Sequence, residues 1–506
     1  MSNDAMTQMI SDCRFQISDS RPLLGHERCI HNLKPEIRNP KSNPQSAIRN
    51  PQWQGTVLAL VLVVVAILSI AAISALFITR SQRSAAAASR LGYQARAAAI
   101  SGINRAMALL VAEPGNLEAR HDNPSIFQAQ TLVDGDANGW GFTVWADNLD
   151  DPHNVRYGLE DEAAKINLNT ATEGMLLALP GMTVELVDCL LDYRDRDSDT
   201  RPRGAEQDYY DTLPQPYQIK NGLLATLEEL LLVKGFTGGI VYGEDANRNG
   251  LLEPNEDDGD ASFPPDNGDG QLDRGLRAWC TITTYEPNVS AAGVPRVNIK
   301  TADDKKLASA GLAPETVKFI MAARAAKFDL SDPSVLLNAS LEVDDPRRPG
   351  QKTRLESGVN AGNLAVVMDN CTTGGVPLRG QEVLVGRVNL NTAPRQVLGA
   401  LPGLNDEDLV QRIIERRQTL EESAKSSTAW IYTQNMVGDA VFKQITPMVT
   451  TRSFQFRIRS LGYSLGSGRF CVLEALIDVA SGQPRITYQR DLTRLGLPLV
   501  VGAAER

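Results

Sequence analysis

The sequence has 506 residues, of which 42% are hydrophobic, 22% charged and only 6% aromatic, and its formal net charge is -10. A chain of this length should hold more than one domain, because single cores stop growing near about 250 to 300 residues. Carboxylates outnumber cations, which argues against general nucleic-acid binding, since Lys and Arg capture a phosphate backbone. Two of the four histidines, His26 and His31, lie upstream of the expected folded region, and the other two, His121 and His153, share no metal-ligand spacing. A His-based zinc or triad enzyme is therefore disfavoured.

A charge-free apolar run predicts a transmembrane helix at 56–78. Its length of about 23 residues is enough to cross a hydrocarbon core of about 30 Å. A buried core helix and a cleaved signal sequence are the alternatives, but the run is long for a signal and no A-x-A site follows it. An Ala-rich amphipathic stretch then continues the helix as a stalk at 79–113, until Pro114 and Gly115 end it.

The segment before this helix, 1–55, is rich in Asn, Pro, Ser and Arg and shows no apolar periodicity. Two explanations account for it. It is a disordered leader, or the start codon has been placed too far upstream, and the second explanation is slightly favoured.

Gly55 stands directly before the charge-free helix, and in this it resembles the type IV prepilins and pseudopilins, which a dedicated peptidase cuts after such a glycine. The resemblance implies that Thr56 becomes the mature, methylated N-terminus. The family usually carries Glu at the fifth mature position, where this chain has Leu60. That departure fits the K-type minor pseudopilin of the type II secretion system, which is thought to cap the tip of the pseudopilus.

Further segments resemble the K-type family: 160–182 (EDEAAKINLNTATEGMLLALPGM), 190–210 (LLDYRDRDSDTRPRGAEQDYY), 220–236 (KNGLLATLEELLLVKGF) and the end of the chain from Ser453. The resemblance implies an inner-membrane protein with a periplasmic head that initiates pseudopilus assembly and takes part in protein export. Its implied partners are other minor pseudopilins, bound through the N-terminal helix, and the prepilin peptidase. No P-loop, nucleophile elbow or paired-carboxylate pattern stands out, so we expect no enzyme.

An internal repeat is visible in the outer part of the chain. Residues 166–182 and 388–404 share an Asn-Leu-Asn-Thr-Ala motif with a Leu-Pro-Gly motif at the same distance, and 297–302 is a decayed third copy. Each copy predicts a strand end, a short helix, a hairpin and a second helix, with Thr170 and Glu173 forming a capping box in the first.

Period-2 segments predict half-buried strands at 141–147, 279–285, 454–461 and 470–479, the last two joined as a hairpin. The predicted fold class is α+β: a transmembrane and stalk helix packed on an antiparallel pilin-like sheet, with inserted helical lobes that contain helix-hairpin-helix-like units. After the leader, membrane helix and stalk, the expected segments are the first strands (114–164), a helical lobe (165–240), an acidic calcium-loop insertion (241–276), strands with the decayed unit (277–386), a helical hairpin unit (387–450) and C-terminal strands (451–506).

Helix-hairpin-helix units can bind a DNA phosphate, so a membrane-anchored DNA receptor is the alternative function. DNA-binding versions usually carry a second glycine in the hairpin, where this chain has Thr183 and Asn405. Nearby carboxylates would also repel phosphate. The sequence therefore favours packing modules, and no specific nucleic-acid partner is expected.

The acidic loop 245–256 matches a twelve-residue calcium loop position by position, with a glycine at the sixth position. The predicted ligands are Asp245, Asn247, Asn249, the Leu251 carbonyl, Glu253 and Glu256. An acidic surface loop without an ion is the alternative, because Pro254 interrupts the helix that should follow.

A second stretch carries Asp195, Asp197, Asp199 and Glu206 at calcium-loop spacing, although Thr200 replaces the glycine. The family resemblance implies calcium in this region. A third stretch, 266–273, is an equally good solvated acidic loop. Weak calcium sites fill at millimolar levels outside the cytoplasm, which supports a periplasmic head.

Of the six cysteines, none forms a C-x-x-C pair, which excludes a zinc ribbon or a thioredoxin-like motif. Cys189 and Cys471 lie in apolar-patterned elements and are expected to be buried thiols. A disulfide between Cys280 and Cys371 is an open alternative in an oxidising periplasm.

Overall fold

The computed structural model describes the backbone of residues 54–133, 139–344 and 351–499, and the side chains from residue 57 onward in those ranges. The chain divides into two compact units, Met1–Ile78 and Thr79–Arg506. Nearly all of the predicted leader 1–55 lies outside the described residues. The other predicted domain borders stay predictions.

Sixteen α-helices lie in the described residues: α1 (Gln54–Ala112), α2 (Leu117–His121), α3 (Pro124–Phe127), α4 (Glu173–Leu177), α5 (Val184–Arg194), α6 (Gln207–Asp211), α7 (Gly238–Tyr242), α8 (Gly275–Trp279), α9 (Asp304–Ser309), α10 (Pro314–Ala325), α11 (Leu364–Asn370), α12 (Arg395–Gly399), α13 (Glu407–Thr419), α14 (Glu422–Lys425), α15 (Trp430–Thr433) and α16 (Asp439–Ile445).

The strands of the same ranges are β1 (Gln130–Val133), β2 (Trp140–Asp147), β3 (Val155–Arg156), β4 (Glu160–Asp161), β5 (Ile166–Asn167), β6 (Cys280–Thr281), β7 (Tyr285–Pro287), β8 (Val297–Asn298), β9 (Ser340–Asp344), β10 (Lys352–Glu356), β11 (Cys371–Thr372), β12 (Val376–Leu378), β13 (Gln381–Val385), β14 (Val388–Asn389), β15 (Val449–Thr450), β16 (Gln455–Tyr463), β17 (Phe470–Asp478) and β18 (Arg485–Asp491).

The described part of the first unit is the apolar beginning of α1. Its large side chains are exposed along the whole stretch, from Val57 at 61% to Leu76 at 70%. In the described residues, one helix is long and apolar enough to cross a membrane by its length and composition.

The second unit is built around an antiparallel sheet in the order β1-β2-β16-β17-β18, with β3 paired to β2 and β4 to β16. The predicted hairpin is confirmed, since β16 and β17 pair from Gln455 opposite Asp478 to Tyr463 opposite Phe470. Small residues of α1, including Ala95 and Ala99, are buried against the sheet in one apolar cluster. The α+β prediction is therefore confirmed.

Glycine allows α1 to lie very close to the sheet. A Cβ on Gly462 of β16 would collide with backbone atoms of Ala95 and Ala99, and a Cβ on Gly102 would collide with Ser460. Removing two side chains at the crossing point lets helix and strand backbones touch.

The three repeated segments have the same local structure. Each begins with a two-residue strand, β5, β8 or β14, that pairs in parallel with a strand at the end of its unit, β6, β11 or β15. Two helices follow the first strand: α4 and α5, α9 and α10, or α12 and α13. The turn between them carries a glycine with positive φ, at Gly181 (73°), Gly311 (78°) and Gly403 (77°).

An arginine on the second helix closes each unit. Arg194 donates to the carbonyls of Leu168 and Ala171, and Arg324 donates to those of Ile299 and Ala302. In the third unit, Arg417 donates to the carbonyls of Leu390 and Ala393. The guanidinium thus bonds the loop that leads from the first strand into the first helix.

Two local predictions were wrong. The strand expected at 279–285 is split into β6 and β7; between them the Ile282 carbonyl accepts the side-chain amide of Asn169, and the Thr284 hydroxyl accepts that of Asn167. The predicted capping box is also displaced, since Thr172 rather than Thr170 caps α4 by accepting the Met175 N–H.

The disulfide alternative does not hold in the described residues. Cys189, Cys280, Cys371 and Cys471 are buried free thiols. Cys280 and Cys371 occupy β6 and β11, the equivalent closing strands of two different units. Burial raises the pKa of each of these two thiols to about 12, so both are protonated at neutral pH.

Candidate metal centre

The loop between α5 and α6 holds the first candidate centre. Asp195 is the C-cap of α5 and Glu206 is the N-cap of α6, so the two helix ends fix both residues. Tyr193 and Tyr210 pack edge to face behind them, with ring centroids 6.2 Å apart. The sequence folds in this way because the apolar faces of both helices join the core of the repeated units.

Three of the four residues predicted for this stretch are brought together. Asp195, Asp197 and Glu206 each place a carboxylate oxygen within 4.8 Å of the others. Asp199 is exposed, and its backbone N–H donates to Asp197 Oδ1. The structure therefore does not bring Asp199 into the group.

Several oxygens of this group are buried without a hydrogen-bond donor. They are Asp195 Oδ1, both carboxylate oxygens of Glu206, and Oδ1 of the neighbouring Asn221. Nδ2 of Asn221 donates to the Asp197 carbonyl, 3.0 Å away, which holds the side chain beside the group. Buried oxygens are normally satisfied, so these unpaired atoms form a set of oxygens that is suited to hold a cation.

Electrostatics at the centre support the same conclusion. Burial raises the pKa of Glu206, and the nearby carboxylates of Asp192 and Asp195 raise it further. Burial, with the carboxylates of Asp197 and Asp192, also raises the pKa of Asp195. Uncompensated negative charge therefore accumulates at this point.

Arg201, which follows this stretch, pairs with carboxylates outside the group. Arg201 forms ion pairs with Asp188, at 2.8 Å, and with Glu173. The backbone N–H of Arg203 also donates to Asp188. A set of oxygen ligands without a neutralising side chain suits a hard divalent cation such as Ca²⁺.

Sequence reasoning missed Asn221. The sequence signal was only an Asn before a glycine, which is typical of a turn; the structure shows that Asn221 adopts a φ of 39°, a conformation that Asn tolerates better than most residues. It lies outside the spacing template of a calcium loop, so the template could not include it.

The loop 245–256 brings its predicted ligands together in a different way. Asp245 accepts the N–H groups of Asn249 and Gly250, and Asn247 and Asn249 donate their side-chain amides to Glu253. The two oxygens of Glu256 accept the N–H groups of Ala246 and Glu253. The N–H of Leu251 donates to Asn249 Oδ1. The carboxylates of Asp245, Glu253 and Glu256 thus already have donors.

An arginine further neutralises this loop. Arg277 Nη2 lies 2.8 Å from Asp245 Oδ2, and both side chains are buried. The loop is also tied to the sheet, since Trp145 and Arg459 donate to the carbonyls of Asn249 and Arg248. This loop therefore fits an ion less well than the first centre, and its calcium site stays a prediction.

The third acidic stretch, 266–273, is likewise satisfied by backbone donors. Asp266 accepts the N–H groups of Gly259 and Gly268, and Glu244 accepts those of Asn267 and Asp273. These contacts describe a self-bonded loop.

The helix N-termini that could hold a phosphate are capped by side chains. Thr183 accepts the N–H of Leu186 at the start of α5, and Asp406 accepts the N–H of Asp408 at the start of α13. These amides are no longer free for an anion. Gly55 and Thr56, the predicted processing residues, lie in the first turn of α1.

The segment that holds the first centre is similar to a known family. Residues 154–242 match the family model of type II secretion system (T2SS), protein K. No curated protein matches the chain. Among solved structures, the chain is similar to one from the GspK-GspI-GspJ complex of the enterotoxigenic Escherichia coli type 2 secretion system, with 15% identity, a TM-score of 0.35 and coverage of 82% of this chain and 98% of that chain. Residues 154–242 are therefore similar to type II secretion system protein K, and this similarity covers less than half of the chain.

Proposed function

We propose that this chain is a minor pseudopilin that stands at the tip of the type II secretion pseudopilus and initiates its assembly. The observation that carries the proposal is the family match at 154–242, which contains Asp195, Asp197 and Glu206. The role is structural rather than catalytic. The head is too large to repeat along a thin fibre, which favours a place at one end of the fibre.

The apolar start of α1 supports a single-pass anchor in the inner membrane, with the head in the periplasm. A prepilin peptidase would cut after Gly55 and leave Thr56 as the N-terminus. The anchor helix would pack against the equivalent helices of other minor pseudopilins. Leu60 supports a terminal position, because a subunit at the tip needs no acidic group to receive the amine of a subunit above it.

Calcium is the proposed cofactor of the centre between α5 and α6. Asp195, Asp197, Glu206 and Asn221 would supply its oxygen ligands. The ion would neutralise the buried carboxylates and so rigidify the loop that joins the two helices. No observation favours the alternative of a DNA receptor.

Intact mass tests the pseudopilin class. The full chain is co-expressed with a prepilin peptidase, extracted from membranes and compared with Gly55→Leu. We expect the parent alone to lose residues 1–55. An uncut parent would contradict the proposal and favour a permanently anchored protein.

A further inference from the structure

A cavity of about 1010 Å³ lies where the end of α1 meets the third repeated unit and the loop after β17. Apolar side chains such as Leu110 and Phe454 form part of its wall. Two asparagines, Asn288 and Asn391, form a polar part of the same wall. The cavity shares no ligand residue with the metal centre.

Three side-chain atoms of these asparagines are buried without a hydrogen-bond partner. They are Nδ2 and Oδ1 of Asn288, and Oδ1 of Asn391. Asn288 is only 5% exposed, and its backbone is fixed by bonds to Glu382 and Arg296. A rigid carboxamide that offers both a donor and an acceptor matches the N–H and C=O groups of a peptide backbone.

The first repeated unit shows what such an asparagine binds. Asn169 stands where Asn391 stands in the third unit, and both of its amide atoms bond the backbone of Leu224. Its Nδ2 donates to the Leu224 carbonyl at 3.0 Å, and its Oδ1 accepts the Leu224 N–H at 2.8 Å. Within this chain, the position is therefore a backbone-binding position.

The third unit lacks half of this arrangement. Asn391 Nδ2 still donates to the Lys425 carbonyl at 3.0 Å. The N–H of Lys425 is consumed inside α14, where it bonds the carbonyl of Glu421. Asn391 Oδ1 is left without the N–H that Leu224 supplies in the first unit.

The charge around the cavity is positive. Arg296 and Arg452 both bond Glu286, and Arg387 bonds the same carboxylate, so three guanidinium groups share one buried charge. Around the whole cavity, four cations stand against two carboxylates, and Lys425 is paired with Glu422 at 3.0 Å; the residues are Arg120, Arg296, Lys425 and Arg452 against Glu382 and Glu422.

We propose that this cavity binds an extended peptide segment of another protein, with acidic side chains. Main-chain groups of the segment pair with Asn288 and Asn391, and its carboxylates face the cationic wall. This inference goes beyond the secretion role and does not depend on it or on the metal.

Selection from a random library tests the proposal with a defined probe. The full chain in detergent is presented to phage-displayed peptides about 12 residues long, which in extended form reach across a cavity of this kind. We expect the parent to enrich acidic sequences that Asn288→Leu does not enrich. A synthetic peptide of the enriched sequence should bind Asn288→Leu about ten-fold more weakly or worse, since two hydrogen bonds are lost.

Charge is tested separately by Lys425→Glu, with Lys220→Glu as the matched control, because each lysine is paired with a glutamate and Lys220 does not line the cavity. We expect weaker peptide binding in Lys425→Glu only. Asn288→Leu should melt no lower than the parent, because its amide has no partner in the protein. A lower melting temperature, equal binding to parent and Asn288→Leu, or no enrichment of acidic sequences would each overturn the proposal.

Discussion

Asp195 and Glu206 lie at two helix ends with carboxylate oxygens within 4.8 Å of each other, and three of their four carboxylate oxygens are buried without a hydrogen-bond partner. Two like charges placed so close destabilise the fold unless something neutralises them. The family match covers both residues, so the arrangement belongs to the part of the chain that is shared with protein K.

Calcium should stabilise the full chain through this centre. We expect millimolar Ca²⁺ to raise the melting temperature by a few degrees, since a ligand at about 100 times its Kd contributes about 2.7 kcal/mol. Glu206→Gln removes a ligand charge and should abolish most of this rise. Differential scanning calorimetry with Ca²⁺ and with chelator measures it.

Two further variants test residues that calcium-loop spacing predicts as ligands but that lie outside the converging carboxylates of the structure. Asp199→Asn should keep the calcium response, because Asp199 lies outside the group. Glu256→Gln should also keep it, because the loop 245–256 already supplies donors to both oxygens of Glu256. Loss of bound calcium in Glu256→Gln, measured by equilibrium dialysis, would show that the loop holds an ion after all.

Arg417 should contribute more to the free energy of unfolding than its neighbour Arg416. Replacing Arg417 with Met leaves the carbonyls of Leu390 and Ala393 without donors, which should cost about 2 to 4 kcal/mol in urea unfolding. Burial lowers the pKa of Arg417 to about 10, so the group remains charged at neutral pH. Arg416→Met is the control, and similar losses in both variants would contradict the closing role of Arg417.

Gly462 should tolerate no side chain. Gly462→Ala places a Cβ against the backbone of α1, so helix and sheet must separate, and we expect a loss of about 2 kcal/mol or more. Gly92→Ala is the matched control, because nothing lies within 4 Å of a Cβ there, and it should stabilise α1 by up to about 1 kcal/mol. Unchanged chemical denaturation of Gly462→Ala would argue against the close crossing.

Local pattern predicted the hairpin of β16 and β17 and the three repeated units, because alternation and repeated motifs are properties of neighbouring residues. The strand predicted at 279–285 is interrupted where the Ile282 carbonyl and the Thr284 hydroxyl bond asparagine side chains more than one hundred residues away, a tertiary effect that periodicity does not contain. Sequence reasoning missed Asn221 for the same reason, because its position beside the carboxylates depends on the tertiary fold. Spacing placed Asp199 in the metal group, but only the folded loop decides which carboxylates converge.

The buried pair of Asp147 and Arg459 yields a prediction with a defined pH dependence. Arg459 Nη2 lies 2.5 Å from Asp147 Oδ1, and the two side chains are 1% and 4% exposed. Burial alone would raise the pKa of Asp147, but Arg459 and Arg277 hold it well below its usual range. Asp147→Asn leaves a buried guanidinium uncompensated, so we expect a loss of about 3 to 5 kcal/mol at pH 7.

Because the pKa of Asp147 is depressed in the folded state, its stabilising effect is complete above the unfolded pKa of about 3.9 and is lost as the pH falls below it. The difference between parent and Asp147→Asn in urea unfolding should therefore shrink in acid. Asp491→Asn breaks the exposed pair with Arg96, whose side chains are 43% and 49% exposed, and should cost at most about 1 kcal/mol. A stability difference for Asp147→Asn that stays constant down to acidic pH would show that packing, rather than the buried charge pair, sets its contribution.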